Sequence, residues 1–488
     1  MGVWVGPLGL LLDRQQPLHF IGIGGIGMSA LAVILVERGF QVSGSDSRES
    51  AVVEDLRRRG VRIHTAQDAA SFEALCQAMA VPPQVVISTA VREGNPELEA
   101  ARAAGLPIHY RSDVLAALIN AQPSIAVAGS HGKTTTSTLV ATLLAVTGQD
   151  PTAVIGGMVP AFQSNARVGQ GPLLVAEADE SDGSLVKFRP SLGLITNLEL
   201  DHTDHYPNLE ALVETLTEFA DGCGLVLANS DCPVLRKHFL PGAWWSIETF
   251  EGVDFAALAV EAHGGGTVAD FYESGICVGR VRLPLPGRHN LSNATAALAA
   301  CRLQGLSFAD LSVAIESLQS PGRRFDYRGC LDGQLIVDDY AHHPSEVDAT
   351  LKLAHLMVES GRSPLPATPQ RVVAVFQPHR YSRTAEFLLP FAAALAQADA
   401  VLLAPLYSAG EAPLPDISSQ RLATEIRLVQ PALPVQVAAD LDDLAQLVCR
   451  YGRQDDLVLV MGAGDVNSLW DRLQVQRQAQ ATPPPLAA

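Results

Sequence analysis

Lys133 and Thr134 follow two glycines, Gly129 and Gly132, with Ser130 and His131 between them. Residues of these types in this order suit phosphate. Glycines let backbone N–H groups approach an anion, a lysine ammonium follows the terminal phosphates, and the next hydroxyl can ligate Mg2+. The two glycines are closer together than in the usual phosphate loop, but Gly-Lys-Thr stands between an apolar run (Ile125 to Ala128) and a stretch of helical periodicity (Ser137 to Val146), as that chemistry requires. We therefore expect ATP with Mg2+, or Mn2+ in its place, on Gly129, Ser130, His131, Gly132, Lys133, Thr134 and Thr135.

Two further strand ends carry groups that serve a magnesium nucleotide. One is Glu177-Ala178-Asp179-Glu180-Ser181-Asp182, four carboxylates in six residues, a crowding that a cation would relieve. The other is Asp201-His202-Thr203-Asp204-His205. Thr134, Glu177 and His202 are the expected metal ligands, and Lys133, Glu177 and His202 the expected catalytic groups. An ordinary loop histidine is the alternative for His202. Asn290 and Asn293 open a small-residue helix, where they could meet an adenine edge or cap the helix. Tyr340, His342, Arg380 and Arg383 follow two later strands, and arginine forks suit a small carboxylate.

A second glycine loop lies nearer the start: Gly22, Gly24, Gly25, Ile26 and Gly27, with Asp46 placed 19 residues beyond the last glycine. Taken alone it reads as a dinucleotide site with Asp46 on a ribose, yet a nucleotide-sugar diphosphate fits the same helix N-terminus. The bland alternative for Asp46 is a helix cap or turn residue. Ser88 ends a strand on the same edge. At this point the ligand stays open.

Holding these groups at strand ends requires α/β architecture. At 488 residues the chain suits three domains: a Rossmann-like one over 1–122, a central P-loop ATPase-like parallel or mixed sheet over 123–322, and a Rossmann-like one over 323–488. The net charge of −18 argues against a nucleic-acid surface. The seven cysteines (76, 223, 232, 277, 301, 330 and 449) contain no Cys-x-x-Cys, which supports neither a disulfide framework nor a zinc site and predicts reduced, mostly buried thiols. No His-Glu-x-x-His motif marks a zinc protease. Met1 to Leu12 makes a poor signal peptide, and no apolar run is long enough to insert in a membrane. A cytoplasmic monomer or weak homodimer is expected, with a disordered tail from Gln476.

The order of motifs resembles the Mur ligases of peptidoglycan synthesis. The resemblance runs from His19-Phe20-Ile21-Gly22-Ile23-Gly24-Gly25-Ile26-Gly27 through Gly132-Lys133-Thr134, Glu177 to Asp182 and Asp201-His202 to Tyr340-Ala341-His342-His343-Pro344 and His379-Arg380-Tyr381. It implies an alanine-adding member with UDP-N-acetylmuramate, ATP and L-alanine as partners. It assigns the first glycine loop to the UDP diphosphate, places Arg324, Asp338 and Asp339 near ATP, and puts Tyr340, His342, Arg380 and Arg383 near L-alanine. Relatives usually carry Thr where this chain has Ser130. The carbamylated lysine of some sister ligases has no counterpart, since Leu209 to Phe219 contains no lysine.

Overall fold

Three sheets, one after another along the chain, carry these motifs at their edges. The computed structural model describes residues 4–5, 11–203 and 205–481. A short antiparallel ribbon, β1 (Trp4–Val5) with β2 (Leu11–Leu12), precedes the first sheet. That sheet is parallel, with β3 (Leu18–Ile21), β4 (Val42–Ser45), β5 (Arg62–His64), β6 (Gln84–Ile87) and β7 (Ile108–Tyr110) in the order β5-β4-β3-β6-β7. The direction of winding reverses between β3 and β6, and ligands bind α/β sheets at the carboxyl edge of such a switch. The first glycine loop leaves β3 there.

The central sheet has ten strands: β8 (Ser124–Ala128), β9 (Thr152–Val159), β10 (Ser164–Arg167), β11 (Leu174–Glu177), β12 (Leu192–Ile195), β13 (Leu225–Asn229), β14 (Ala243–Ser246), β15 (Phe255–His263), β16 (Gly266–Glu273) and β17 (Ile276–Leu283). Their order is β10-β9-β11-β8-β12-β13-β14-β15-β16-β17, antiparallel at β9/β10 and from β15 to β17 and parallel elsewhere. Because β8 pairs with both β11 and β12, the phosphate loop, the acidic strand end and the Asp-His strand end must emerge side by side. All five residues of β8 are buried, which accounts for its unbroken run of small and apolar residues.

The helix Ile26–Glu37 fastens the first sheet to the second. Met28 to Leu35 are all buried, because the helix also packs on β9 and β10, and a helix apolar all round is one enclosed on every side. The third sheet holds β18 (Asp326–Leu331), β19 (Gln334–Asp339), β20 (Arg371–Phe376), β21 (Ala400–Leu403), β22 (Val435–Val437) and β23 (Asp456–Met461), ordered β18-β19-β23-β20-β21-β22 with only β18/β19 antiparallel.

Two expectations need correction. The tail from Gln476 is not disordered at its start: the helix Leu469–Ala481 continues through it, with Gln476 Nε2 donating to the Asp442 carbonyl at 3.2 Å. The thiols are all free, but Cys277 and Cys330 are exposed and only Cys232 and Cys301 are buried. The signal-peptide reading of Met1 to Leu12 and the last part of the tail lie largely outside the described residues. No helix among the described residues is long and apolar enough to cross a membrane.

Candidate active site

The phosphate loop has a shape only glycine permits. Gly129 sits at φ +117°, and a Cβ there would lie 2.3 Å from Thr196 Oγ1; at Gly132, φ +82°, it would lie 2.6 Å from Asn293 Oδ1. The loop's first half is locked to the segment after β12. Ser130 N donates to the Asn197 carbonyl at 2.9 Å, Ser130 Oγ donates to the Glu199 carbonyl at 2.8 Å, and His131 N donates to Asn197 Oδ1 at 2.9 Å. Ser130 and His131 therefore shape the loop, and their N–H groups are not free for phosphate as expected. What remains is the first turn of the helix Lys133–Val146, whose N–H groups no helix can pair internally.

Lys133 Nζ folds back to the carbonyls of Gly129 (2.8 Å) and Ser130 (3.1 Å) and pairs with Glu180 at 2.8 Å. Burial works against the ammonium charge, but Glu180 and Asp179 outweigh it and hold the lysine above its ordinary range.

Each of the four clustered carboxylates has a partner, yet crowding persists: burial and Asp179 push Glu180 up to about 7 against the pull of Lys133. Glu177 accepts from Thr134 Oγ1 (3.0 Å) and Gly156 N (2.8 Å), Asp179 faces Arg111 at 3.5 Å, Glu180 pairs with Lys133, and Asp182 accepts from Ser184 N at 3.0 Å. A donor set is nevertheless assembled: Asp179, Glu180 and His202 each present a ligand atom within 4.8 Å of the others. Glu177 stands outside this trio, beside Thr134. Burial lowers the pKa of His202, and Lys133 and Arg383 add to this against the pull of Asp201 and Asp179, so the imidazole is neutral, the form that ligates a cation. His202 adopts φ +54°, a costly conformation for a histidine that its surroundings impose.

A cleft of about 620 Å³ opens between the central and C-terminal domains, lined by Thr135, Asn290, Asn293, Arg324 and Asp339 among others. The volume suits a small ligand such as a nucleotide. Neither asparagine caps the helix Arg288–Leu303, whose cap is Gly287. Asn293 Oδ1 accepts from Thr136 Oγ1 at 3.2 Å, and Asn290 Nδ2 donates to the Pro286 carbonyl at 2.8 Å. Asp339 lines the cleft and braces Phe325 N (2.7 Å) and Ala341 N (2.8 Å). Asp338, expected beside it, turns away and pairs with Arg323 at 3.2 Å.

Of the four residues expected around a small carboxylate, Tyr340 lies under two guanidinium groups, with Arg323 and Arg324 carbons 4.8 and 5.2 Å from its ring centre. The His342 ring meets its edge at 5.2 Å. Arg380 is part-exposed and held at φ +68°. Arg383 is committed elsewhere: its Nε and Nη2 both donate to Asp201 Oδ1, at 3.1 and 2.6 Å, in a buried pair that joins the C-terminal domain to the central one. This corrects its placement as an open fork.

A second bridge joins the same domains. His131 Nδ1 lies 3.2 Å from Glu346 Oε1 and its Nε2 3.1 Å from Glu199 Oε2, while Ser345 Oγ donates to Glu199 Oε1 at 2.6 Å. Burial pulls the His131 pKa down, but the two carboxylates overcome it and push it up to about 9. A raised histidine pKa stabilises the fold fully below its unfolded value of about 6.5, and that contribution fades as pH climbs through the folded value. In metal-free protein the unfolding midpoint should accordingly drop between roughly neutral pH and pH 9. Glu346→Gln should flatten that slope; an unchanged slope would show that His131 is not the titrating group.

At the first glycine loop, Asp46 Oδ2 accepts from Gly24 N at 2.8 Å and Oδ1 from Arg48 N at 3.0 Å, so its carboxylate holds the turn. Asn165 Nδ2 donates to the Ile26 carbonyl at 2.5 Å. Arg111, which no motif announced, lies against Gly27, where a Cβ would come within 3.1 Å of its Nη1, and it faces Asp179. It thus stands between the first glycine loop and the acidic strand end. Ser88 follows β6 on the same edge. Arg167 pairs with Asp150.

Three family models match in succession: "Mur ligase family, catalytic domain" over 17–123, "Mur ligase middle domain" over 127–301 and "Mur ligase, glutamate ligase domain" over 323–464. A UDP-N-acetylmuramate–L-alanine ligase of Prochlorococcus marinus (strain MIT 9313) is 61% identical over 488 residues, covering 100% of both chains. One from Synechococcus sp. (strain CC9605) is 62% identical over 464 residues, 95% of this chain and 99% of the relative. Among solved structures, a UDP-N-acetylmuramate-alanine ligase from Thermotoga maritima is 26% identical with a TM-score of 0.78, over 95% of this chain and 99% of that one.

Proposed function

The chain belongs to the Mur ligase family, and on that premise we propose how its residues divide the work of joining L-alanine to UDP-N-acetylmuramate. The reaction is an ATP-dependent amide ligation that serves peptidoglycan precursor synthesis. A carboxylate resists attack by an amine, so ATP first phosphorylates the lactyl carboxylate to an acyl phosphate, releasing ADP. The alanine amine then attacks its carbonyl carbon and phosphate leaves. The observation that carries the assignment is the convergence of Lys133, Glu180, Asp179 and His202 where three strand ends meet.

Residues 1–122 hold the UDP-sugar on Gly22, Gly24, Gly25, Ile26 and Gly27, braced by Asp46, with Ser88 and Arg111 nearby. Residues 123–322 hold ATP, with Asn290 and Asn293 toward the base. Residues 323–488 close over both and supply Tyr340, His342 and Arg380 for the amino acid. The first helical turn at Lys133–Thr135 receives the phosphates, and Lys133 exchanges Glu180 for the terminal one. Asp179, Glu180 and neutral His202, with Thr134 and Glu177 adjoining, fit Mg2+ or Mn2+. Such an ion, when bound, neutralises charge developing on the phosphoryl oxygens. Glu177 orients Thr134, and the cleft walls keep water from the acyl phosphate. Each chain carries a whole site, so a monomer or weak homodimer suffices, and free thiols such as Cys277 suit the cytoplasm.

ADP release from ATP, with both other substrates present and L-alanine varied, tests the amino-acid site. Arg380→Ala should raise KM for L-alanine by about 10- to 100-fold, the value of a charged hydrogen bond, with kcat far less affected. An unchanged KM would place the amino acid elsewhere.

A further inference from the structure

We propose that His131, Glu199 and His343 form a binding site for a d-block divalent cation such as Zn2+, distinct from the magnesium trio, which ties the C-terminal domain to the phosphate loop. One ligand atom from each residue lies within 4.8 Å of the others. His131 Nε2 is 3.1 Å and His343 Nδ1 3.8 Å from Glu199 Oε2. A tetrahedral ion with ligands at about 2.0–2.2 Å sets those ligands roughly 3.3–3.6 Å apart, so small side-chain shifts complete the shell. Two imidazoles with one carboxylate suit zinc, cobalt or nickel, whereas magnesium prefers an all-oxygen shell. No residue is shared with Asp179, Glu180 and His202.

The surroundings are built as they are around bound metals. A ligating histidine characteristically gives its other ring nitrogen to a carboxylate, and His131 Nδ1 meets Glu346 Oε1 at 3.2 Å. Ser345 Oγ occupies Glu199 Oε1 at 2.6 Å, leaving Oε2 aimed at the histidines. His343 is only 1% exposed, and its Nε2, which is not the nitrogen facing Glu199, has no hydrogen-bond partner. Its ring stands edge-on to Phe387 at 4.8 Å. His343 Nδ1 lies 3.8 Å from Glu199 Oε2 and also accepts from Ser345 N at 3.4 Å as the helix cap, a long hydrogen bond that a ligated metal would replace. His131 and Glu199 belong to the central domain and His343 caps the helix Pro344–Ser360 of the C-terminal domain, so the ion would span the closure between them.

The test is a Co2+ titration of the full-length protein without nucleotide, near neutral pH and in excess Mg2+ to occupy the site of Asp179, Glu180 and His202. One equivalent should give the intense visible absorption of four-coordinate cobalt and be displaced by Zn2+. Glu199→Gln and His343→Gln should each weaken it about tenfold or more, while His202→Asn leaves it intact. Glu199 is half-exposed, so its variant keeps the result interpretable if His343→Gln misfolds. Zn2+ should also raise the unfolding midpoint of the wild type and not of Glu199→Gln. Absence of the absorption, or its loss in His202→Asn with survival in Glu199→Gln, would overturn the site.

Discussion

Lys133→Met should lower kcat by about 10³-fold, the scale on which removing one charge from a phosphoryl-transfer site acts, with KM for L-alanine little changed. Stability tells a second, separable story. Glu180 is 1% exposed and draws its counter-charge from Lys133, so the variant leaves a buried carboxylate alone. It responds by taking up a proton, its pKa driven up by burial. A carboxylate whose folded pKa is raised makes the fold lose stability as pH rises above the ordinary carboxylate range. The variant should therefore unfold near its wild-type midpoint at mildly acidic pH and well below it at alkaline pH. Lys133→Gln with Glu180→Gln should remove the pH dependence and keep the kinetic defect. Near-normal turnover in Lys133→Met would withdraw the ATP assignment.

The parts of this site legible in the sequence are those whose chemistry is local. Gly129 to Thr135 announce a phosphate loop because strand, turn and helix follow within a few residues, and β8, β11 and β12 are readable as short apolar runs ending in polar groups. The roles of individual carboxylates were not legible, because they depend on partners far along the chain. Glu180 answers Lys133 and Asp179 answers Arg111, and neither pairing leaves a spacing to count. Asp201 with Arg383 and Glu199 with Ser345 join separate domains, so only their juxtaposition reveals them. Glu346 had one local signal, its place as the third residue of the helix begun by His343-Pro344, where it closes a capping box. The antiparallel extension β15–β17 also had local signals, in the turns at Gly264-Gly265 and Ser274-Gly275. Backbone strain had none: His202, Arg323, Phe325 and Arg380 all take positive φ, against the preference of their side chains.

Arg383→Met should cost about 3–5 kcal/mol, the penalty for leaving a buried charge unpaired. Asp201 is 4% exposed and keeps the His202 backbone N–H at 2.7 Å and the His202 imidazole at 3.9 Å, neither of which replaces a guanidinium. The loss falls on a contact between domains, so the C-terminal domain should loosen from the central one before either core melts. Scattering should show a larger radius of gyration, and kcat should fall together with a rise in KM for L-alanine. A direct role in binding the alanine carboxylate predicts something else: KM alone rises, and Asp201→Asn leaves it unmoved. Pairing Arg383→Met with Asp201→Asn separates the two readings. If the pair works as a clasp, the double variant is less damaged than the sum of the singles, because the second substitution removes the charge that the first abandoned. Acid provides an independent check. Burial raises the pKa of Asp201, but Arg383, His202 and His342 overcome this and hold it well below the carboxylate range. Its contribution is thus complete above about pH 4 and disappears only as pH falls through the lowered value. Asp201→Asn should flatten that acid limb, and a limb as steep as in the wild type would mean that Arg383 gains nothing from the carboxylate beside it.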